Sequence, residues 1–155
     1  SGAVQAGWRS YFGSQEVNMG QQNNQLLSIL GKIGNIPNTA IGLAWGGIGM
    51  LGGAKVSFGN NGIQFTNHPF MSTAITLGNA ISYAPDYSPG SSRWFQTQEH
   101  EFLHTLQGEQ LGPLYLPSNI IGGTAALVVN HSWRAWHEPM NWNEVGPQST
   151  PPRVW

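Results

Sequence analysis

The chain reads as an α+β domain, mainly helical, with a small antiparallel sheet of β-hairpins. Three observations predict this. Apolar residues recur at helical spacing over residues 26–33 and are compatible with a helix over 94–111. They alternate with polar ones on either side of Asn60-Asn61-Gly62 and of Gly78-Asn79. Two long uncharged runs, 40–50 and 111–130, have the composition of helices packed inside a core.

Residues 1–20 are mixed and glycine-containing, an irregular lead-in. Leu26, Leu27, Leu30 and Ile33 mark a first amphipathic helix over 21–33, ended by Gly34-Asn35-Ile36-Pro37. Asn38 or Thr39 can cap a second helix running to about Leu51. Its glycines at 42, 46, 47 and 49 would let it pack closely. It is shorter than the roughly 20 apolar residues a membrane span needs, so it is read as a buried core helix.

From Lys55 the period changes to two. Val56 and Phe58, then Ile63 and Phe65, alternate around an Asn-Asn-Gly turn; Ile75 and Leu77, then Ile81 and Tyr83, alternate around Gly78-Asn79. Residues 84–90 form a loop by composition and lead into the 94–111 helix, so Asp86 and Tyr87 could lie near whatever that helix carries. Beyond Gly112-Pro113, residues 117–129 read as an uncharged core helix, its two neighbouring prolines arguing against a membrane span. Residues 133–145 are helical in part, interrupted at Pro139 and closed by Gly146; the proline-rich tail 147–155 is extended or mobile.

At 155 residues the sequence fits a single domain, 1–155. Its 39% hydrophobic content and seven tryptophans argue against disorder. Charged residues are only 8% and the net charge is -1, which excludes a basic nucleic-acid-binding surface. Without cysteine there is neither a disulfide nor a thiolate metal site. The start at Ser1-Gly2-Ala3 suggests a domain excised from a longer chain.

The most informative stretch is His100-Glu101-Phe102-Leu103-His104, an H-E-x-x-H motif in the 94–111 helix. Positions i and i+4 share a helix face, so His100 and His104 can offer two imidazole nitrogens to one tetrahedral zinc. Glu101, beside them, can take a proton from a water activated there. Together these residues predict a zincin-like metallopeptidase site holding one Zn2+ per chain. A polar helix face carrying two histidines for other reasons is the plainer alternative.

A catalytic zinc takes a third protein ligand. In H-E-x-x-H-x-x-G-x-x-H the last histidine supplies it, but here Gln107 and Gln110 occupy those positions and exclude that arrangement. Glu109 is rotated off the His100–His104 face. Glu144 is preferred, on a segment expected to fold back over the motif helix, near the end of a short helix started by Pro139. Glu138 reads as a cap before that proline; it, His131, His137 and Asp86 remain alternatives. Candidate stabilisers of a tetrahedral oxyanion are His131, His137, Tyr87 and Tyr115, unranked.

The run Ile75-Thr76-Leu77-Gly78-Asn79 through Tyr83-Ala84-Pro85, then Glu99-His100-Glu101 and His104 through Pro117 with its Leu-Gly-Pro-Leu-Tyr-Leu-Pro segment, resembles a bacterial family. It is similar to the C-terminal metallopeptidase domain carried by VgrG-type spike proteins of the type VI secretion system. The likeness covers roughly residues 70–146. It implies a zinc-dependent toxin fused to its spike, secreted into a competing bacterium and acting on protein or peptide in the periplasm. An immunity protein is a further expected partner, and no stable membrane span is expected. It also implies a site of two histidines and a glutamate; Trp142 to Gly146 matches this part more loosely. The competing expectations are a zinc amidase acting on cell-wall peptides and a non-enzymatic module that binds or perturbs membranes.

Overall fold

The computed structural model describes residues 21–155; the lead-in expected over 1–20 lies outside the described residues. The chain divides into two compact units, Ser1–Leu30 and Gly31–Trp155. The described part of the first is helical and belongs to α1 (Gln21–Gly34), where Leu26, Leu27 and Leu30 are exposed.

The second unit is α+β. It continues through α2 (Ile36–Leu51), β1 (Lys55–Gly59), β2 (Gly62–Thr66), β3 (Ala74–Leu77), β4 (Ala80–Tyr83), α3 (Trp94–Leu111) and α4 (Tyr115–Asn130). Short 3-10 turns lie at Pro85–Tyr87, Gly112–Leu114 and Trp133–His137.

Both expected hairpins form. Asn60 and Asn61 each adopt positive φ, as the two central positions of a tight β1–β2 turn require, and Gly78 does so at the head of the β3–β4 turn. The sheet is nevertheless mixed, not antiparallel: its order is β1-β2-β4-β3, and β2 pairs with β4 in parallel. Burial explains the order. β4 is buried at every position, with Ile81 and Tyr83 fully enclosed, whereas β1 is exposed throughout. The strand buried at every position takes a central place, and the return over residues 67–73 sets β3 outside it. Ala74, Ile81 and Tyr83 make the apolar centre, against which Tyr87 and Trp94 pack.

Helix α2 begins at Ile36, one residue after Asn35, and is not capped by Asn38 or Thr39. Thr39 instead bonds back to the Asn35 carbonyl, and the buried Asn38 amide donates to Asn35 Oδ1 and to the Gly112 carbonyl. Asn35 is a junction in its own right, donating to Asn79 Oδ1 and filling the space left by Gly108 of α3.

The expectation of buried core helices at 40–50 and 117–129 is corrected in one respect. Both helices form, but they bury their small residues and expose their large ones. α2 turns Gly42, Gly46 and Gly49 onto Leu77 and Ala80, Phe65 and His68, while Ile41, Ile48 and Leu51 face outward, Leu51 at 91% exposure. α4 turns Gly122, Gly123 and Ala126 inward and presents Ile120, Ile121, Val128 and Val129 along one exposed stripe. Glycine lets a helix backbone approach its neighbour so closely that adjoining large side chains have no interior left to fill. By length and composition alone the run Trp94–Asn130, interrupted by the Gly112–Leu114 turn, is apolar enough to cross a membrane.

After α4 the structure departs further from expectation. No helix follows Pro139: residues 139–148 are a succession of turns, and Glu144 sits in one of them. Glu138 caps no helix with its side chain; Ser132 caps the Trp133–His137 turn. The tail is docked, not free: Val154 and Trp155 bond to Gln107 and Gln110 of α3.

Two neighbouring glycines of α2 test this packing. A Cβ at Gly46 would strike the Phe65 ring, whereas one at Gly47 meets nothing within 4 Å. Gly46→Ala is expected to destabilise the protein by about 1–3 kcal/mol, and Gly47→Ala to stabilise it by about 0.5–1 kcal/mol. Urea denaturation of the two variants measures this; equal effects would contradict the close approach of α2 to the sheet.

Candidate metal centre

Helix α3 spans Trp94–Leu111, as its sequence predicts, and places His100 and His104 on one face. Their rings meet edge to face with centroids 4.7 Å apart, and their Nε2 atoms lie 3.0 Å from each other. The Glu144 carboxylate closes the group, with Oε2 3.1 Å from His100 Nε2 and Oε1 3.4 Å from His104 Nε2. The three residues each offer one ligand atom within 4.8 Å of the others and could hold a metal ion. Glu138, Asp86, His131 and His137, the alternatives to Glu144, are not in this group.

Glu144 is only 2% exposed. Burial opposes its charge, but hydrogen bonds and charge from His100 and His104 prevail and hold its carboxyl well below the usual carboxylate range. For His104, burial likewise disfavours the charged ring; the bond to Glu144 and its charge prevail and raise the pKa to about 9. A divalent cation bound by these atoms would take the place of the proton they share.

Gln107, which the sequence marked only as a missing glycine, orients His104. Its Oε1 lies 2.9 Å from His104 Nδ1, and its Nε2 donates to the carbonyls of Asn143 and Val154 at 2.8 and 2.6 Å. Because both amide hydrogens face carbonyls, Oε1 must face the imidazole and accept from Nδ1–H. Nε2 then carries the proton shared with Glu144, and is the atom that would bind a cation once that proton is displaced.

Glu101 is buried at 5% exposure, its Oε2 accepting a 2.6 Å hydrogen bond from Thr76 Oγ1 on β3. Sequence reasoning missed Thr76 too, since a threonine in a short strand ordinarily signals β-propensity and nothing more. Glu109, further along α3, is engaged elsewhere: its Oε1 pairs with Lys32 at 2.6 Å and accepts from Asn61 and Asn79.

The four candidate oxyanion donors separate. His137, half exposed, brings Nδ1 to 3.8 Å from Glu144 Oε1. Tyr115 is fully buried with its ring 6.4 Å from that of His104; burial and the charges of Glu101 and Glu144 hold its hydroxyl protonated, against the opposing bond from Asn119. Tyr87 is engaged by Arg93, whose Nη1 donates to its hydroxyl at 2.9 Å. His131 ends α4 as an exposed left-handed cap.

None of the family models, curated proteins or solved structures compared with this chain matches it.

Co2+, whose absorption reports coordination geometry, is a direct probe of the group. The protein is expected to take up about one ion per chain with tetrahedral absorption. His100→Ala, His104→Ala and Glu144→Ala should each weaken binding by more than about a hundredfold, beyond what loss of a merely orienting residue does. Glu138→Ala and His131→Ala should bind as the unaltered protein does. Retention of full affinity by Glu144→Ala would remove it from the site.

Proposed function

We propose that this domain is a zinc-dependent hydrolase of amide bonds, most simply a metallopeptidase. One observation carries the reading: Glu144, forty residues along the chain, meets both histidines of the H-E-x-x-H motif while Glu101 is buried and tethered beside them. The donor set suits zinc. Two imidazole nitrogens and a carboxylate oxygen are ligands zinc commonly takes, and here one such atom from each residue lies within 4.8 Å of the others.

His100, His104 and Glu144 would hold the ion. When bound, zinc lowers the pKa of water toward neutrality and polarises a carbonyl. The chain's own residues do the rest. Thr76 fixes Oε2 of Glu101, leaving Oε1 to accept the water proton and later return it to the leaving amine. Gln107 keeps His104 in the ligating tautomer. His137, half exposed beside Glu144, is the best placed of the candidates to meet an oxyanion.

The resemblance to the metallopeptidase domains of VgrG spike proteins extends this to an antibacterial toxin, delivered by type VI secretion and acting on protein or peptide in the target periplasm. The same residues could attack any amide, so a zinc amidase acting on cell-wall peptides is the nearest alternative. A different class is favoured by the outward stripe of Ile120, Ile121, Val128 and Val129 on α4: a module that perturbs membranes without hydrolysis.

Glu101→Gln is expected to keep its zinc and lose about 10²–10⁴-fold in hydrolysis of a peptide substrate, and with it toxicity when directed to the periplasm. Thr76→Val should lose about tenfold, the worth of roughly one hydrogen bond, with Thr76→Ser restoring it. Full toxicity in Glu101→Gln would end the hydrolase reading. Leakage of dye from liposomes by that same variant would put the membrane reading in its place, and release of wall peptides in preference to protein cleavage would favour the amidase.

A further inference from the structure

We propose that Val154 and Trp155, acting through Gln107, are positioning residues of the metal centre, holding His104 in its ligating form. The inference rests on the metal-binding reading of His100, His104 and Glu144 and does not depend on hydrolysis.

The observations lie along a single chain of contacts. Gln107 is fully buried and its amide is anchored on two sides: the Asn143 carbonyl, one residue before the ligand Glu144, and the Val154 carbonyl in the tail. The tail is itself anchored on both elements that supply ligands. Trp155 Nε1 donates to Gln110 Oε1 of α3 at 2.5 Å, and Arg153 N–H donates to the Gly146 carbonyl at 3.1 Å. Gly146 has no room for a Cβ, which would run into Arg153 O and Trp155 N, so the tail lies directly on the turn that carries Glu144.

The consequence is chemical. With Val154 in place, both N–H groups of the Gln107 amide are satisfied, and its oxygen can only face His104 Nδ1. Remove the Val154 carbonyl and one N–H is left buried without an acceptor, so the amide is free to turn. An imidazole that has lost the acceptor at Nδ1 no longer favours the proton there. The proton can sit on Nε2, the atom that must be bare to bind a cation. Gln107 and Gln110 stand where another arrangement of the motif has a glycine and a histidine; here they hold a strap in place of a third histidine ligand.

The test is a double-mutant cycle on Zn2+ affinity, measured by competition with a chromophoric chelator, using the full chain, a chain ending at Arg153, Gln107→Met, and the two combined. Circular dichroism and the thermal midpoint of each metal-free protein report folding. The shortened chain and Gln107→Met should each bind Zn2+ about 10–100-fold more weakly, and the combination no more weakly than Gln107→Met alone, because the tail acts through that amide. A tail that only stabilises the fold would weaken both backgrounds by the same factor; that result, or unchanged affinity in the shortened chain, overturns the proposal. Should the shortened chain fail to fold, Trp155→Ala, which keeps the Val154 carbonyl but frees its anchor, replaces it in the same cycle with the same two outcomes. An unaltered protein that binds no Zn2+ overturns the metal reading itself, a result distinct from uniform weakening.

Discussion

A carboxylate as deeply buried as Glu144 stays ionised only if positive or proton-donating groups surround it, and the structure after α4 is arranged to meet that condition. Desolvating a lone carboxylate costs several kcal/mol. Here His100 and His104 offset it from one side, and Gln148 Nε2 donates to Oε2 from another at 3.3 Å. The dependence runs both ways: without Glu144, two imidazoles would face each other across 3.0 Å with Glu101 as the remaining negative charge acting on His104. The helix supplies half of the site and the turn supplies the other half.

The turn that carries Glu144 lacks regular structure, so side chains must hold it. Asn141 does much of this. Its Oδ1 accepts from the Asn143 backbone and its Nδ2 donates to the Trp136 carbonyl, while its own N–H reaches the Glu138 carbonyl. Asn143 is tied to Ser118 of α4 and, through its carbonyl, to Gln107 of α3. Asparagine suits the task, because its short amide can bond to local backbone and so competes with helix formation. That competition accounts for turns where a short helix was expected. Glu144 still reaches its place, since what matters is the direction of the carboxylate and not the regularity of the backbone behind it.

Local rules suffice for some elements and not for others, since the capping expected of Asn38, Thr39 and Glu138 is not made. The bounds of α3, the two hairpins and the pairing of His100 with His104 each follow from a periodicity or a turn type within twenty residues. Glu144 could be preferred over the other acids, but the partners around it and the motif could not be named, because Gln107, Thr76 and Val154 carry no signal of their own: a glutamine, a threonine and a backbone carbonyl gain their partners only through what the fold sets against them. The parallel pairing of β2 with β4 was illegible for the same reason, since each hairpin is encoded locally and their relative placement is not. The inverted helices α2 and α4 differ from expectation for another reason: uncharged composition does not set which face is buried, and glycine spacing chooses the inward face and leaves isoleucine, valine and leucine outside.

Helix α3 differs from both, and the difference explains how the site keeps its register. It carries polar side chains into buried positions, and each finds its partner on a different element: Glu101 on β3, Thr105 and Glu109 on the Asn60-Asn61 turn, Gln107 on the Glu144 turn and the tail. Gly108 admits the Asn35 side chain from the start of α2. A small rotation of α3 about its axis would break these bonds together and leave several buried polar groups unsatisfied, each at about 1–3 kcal/mol. An apolar helix face tolerates such a slip, since one aliphatic contact replaces another. A face of specific hydrogen bonds does not, and this fixes the direction in which His100 and His104 point before any ion arrives. The polar residues of α3 therefore contribute specificity of placement more than net stability, which is what a centre built from one helix and one irregular turn requires.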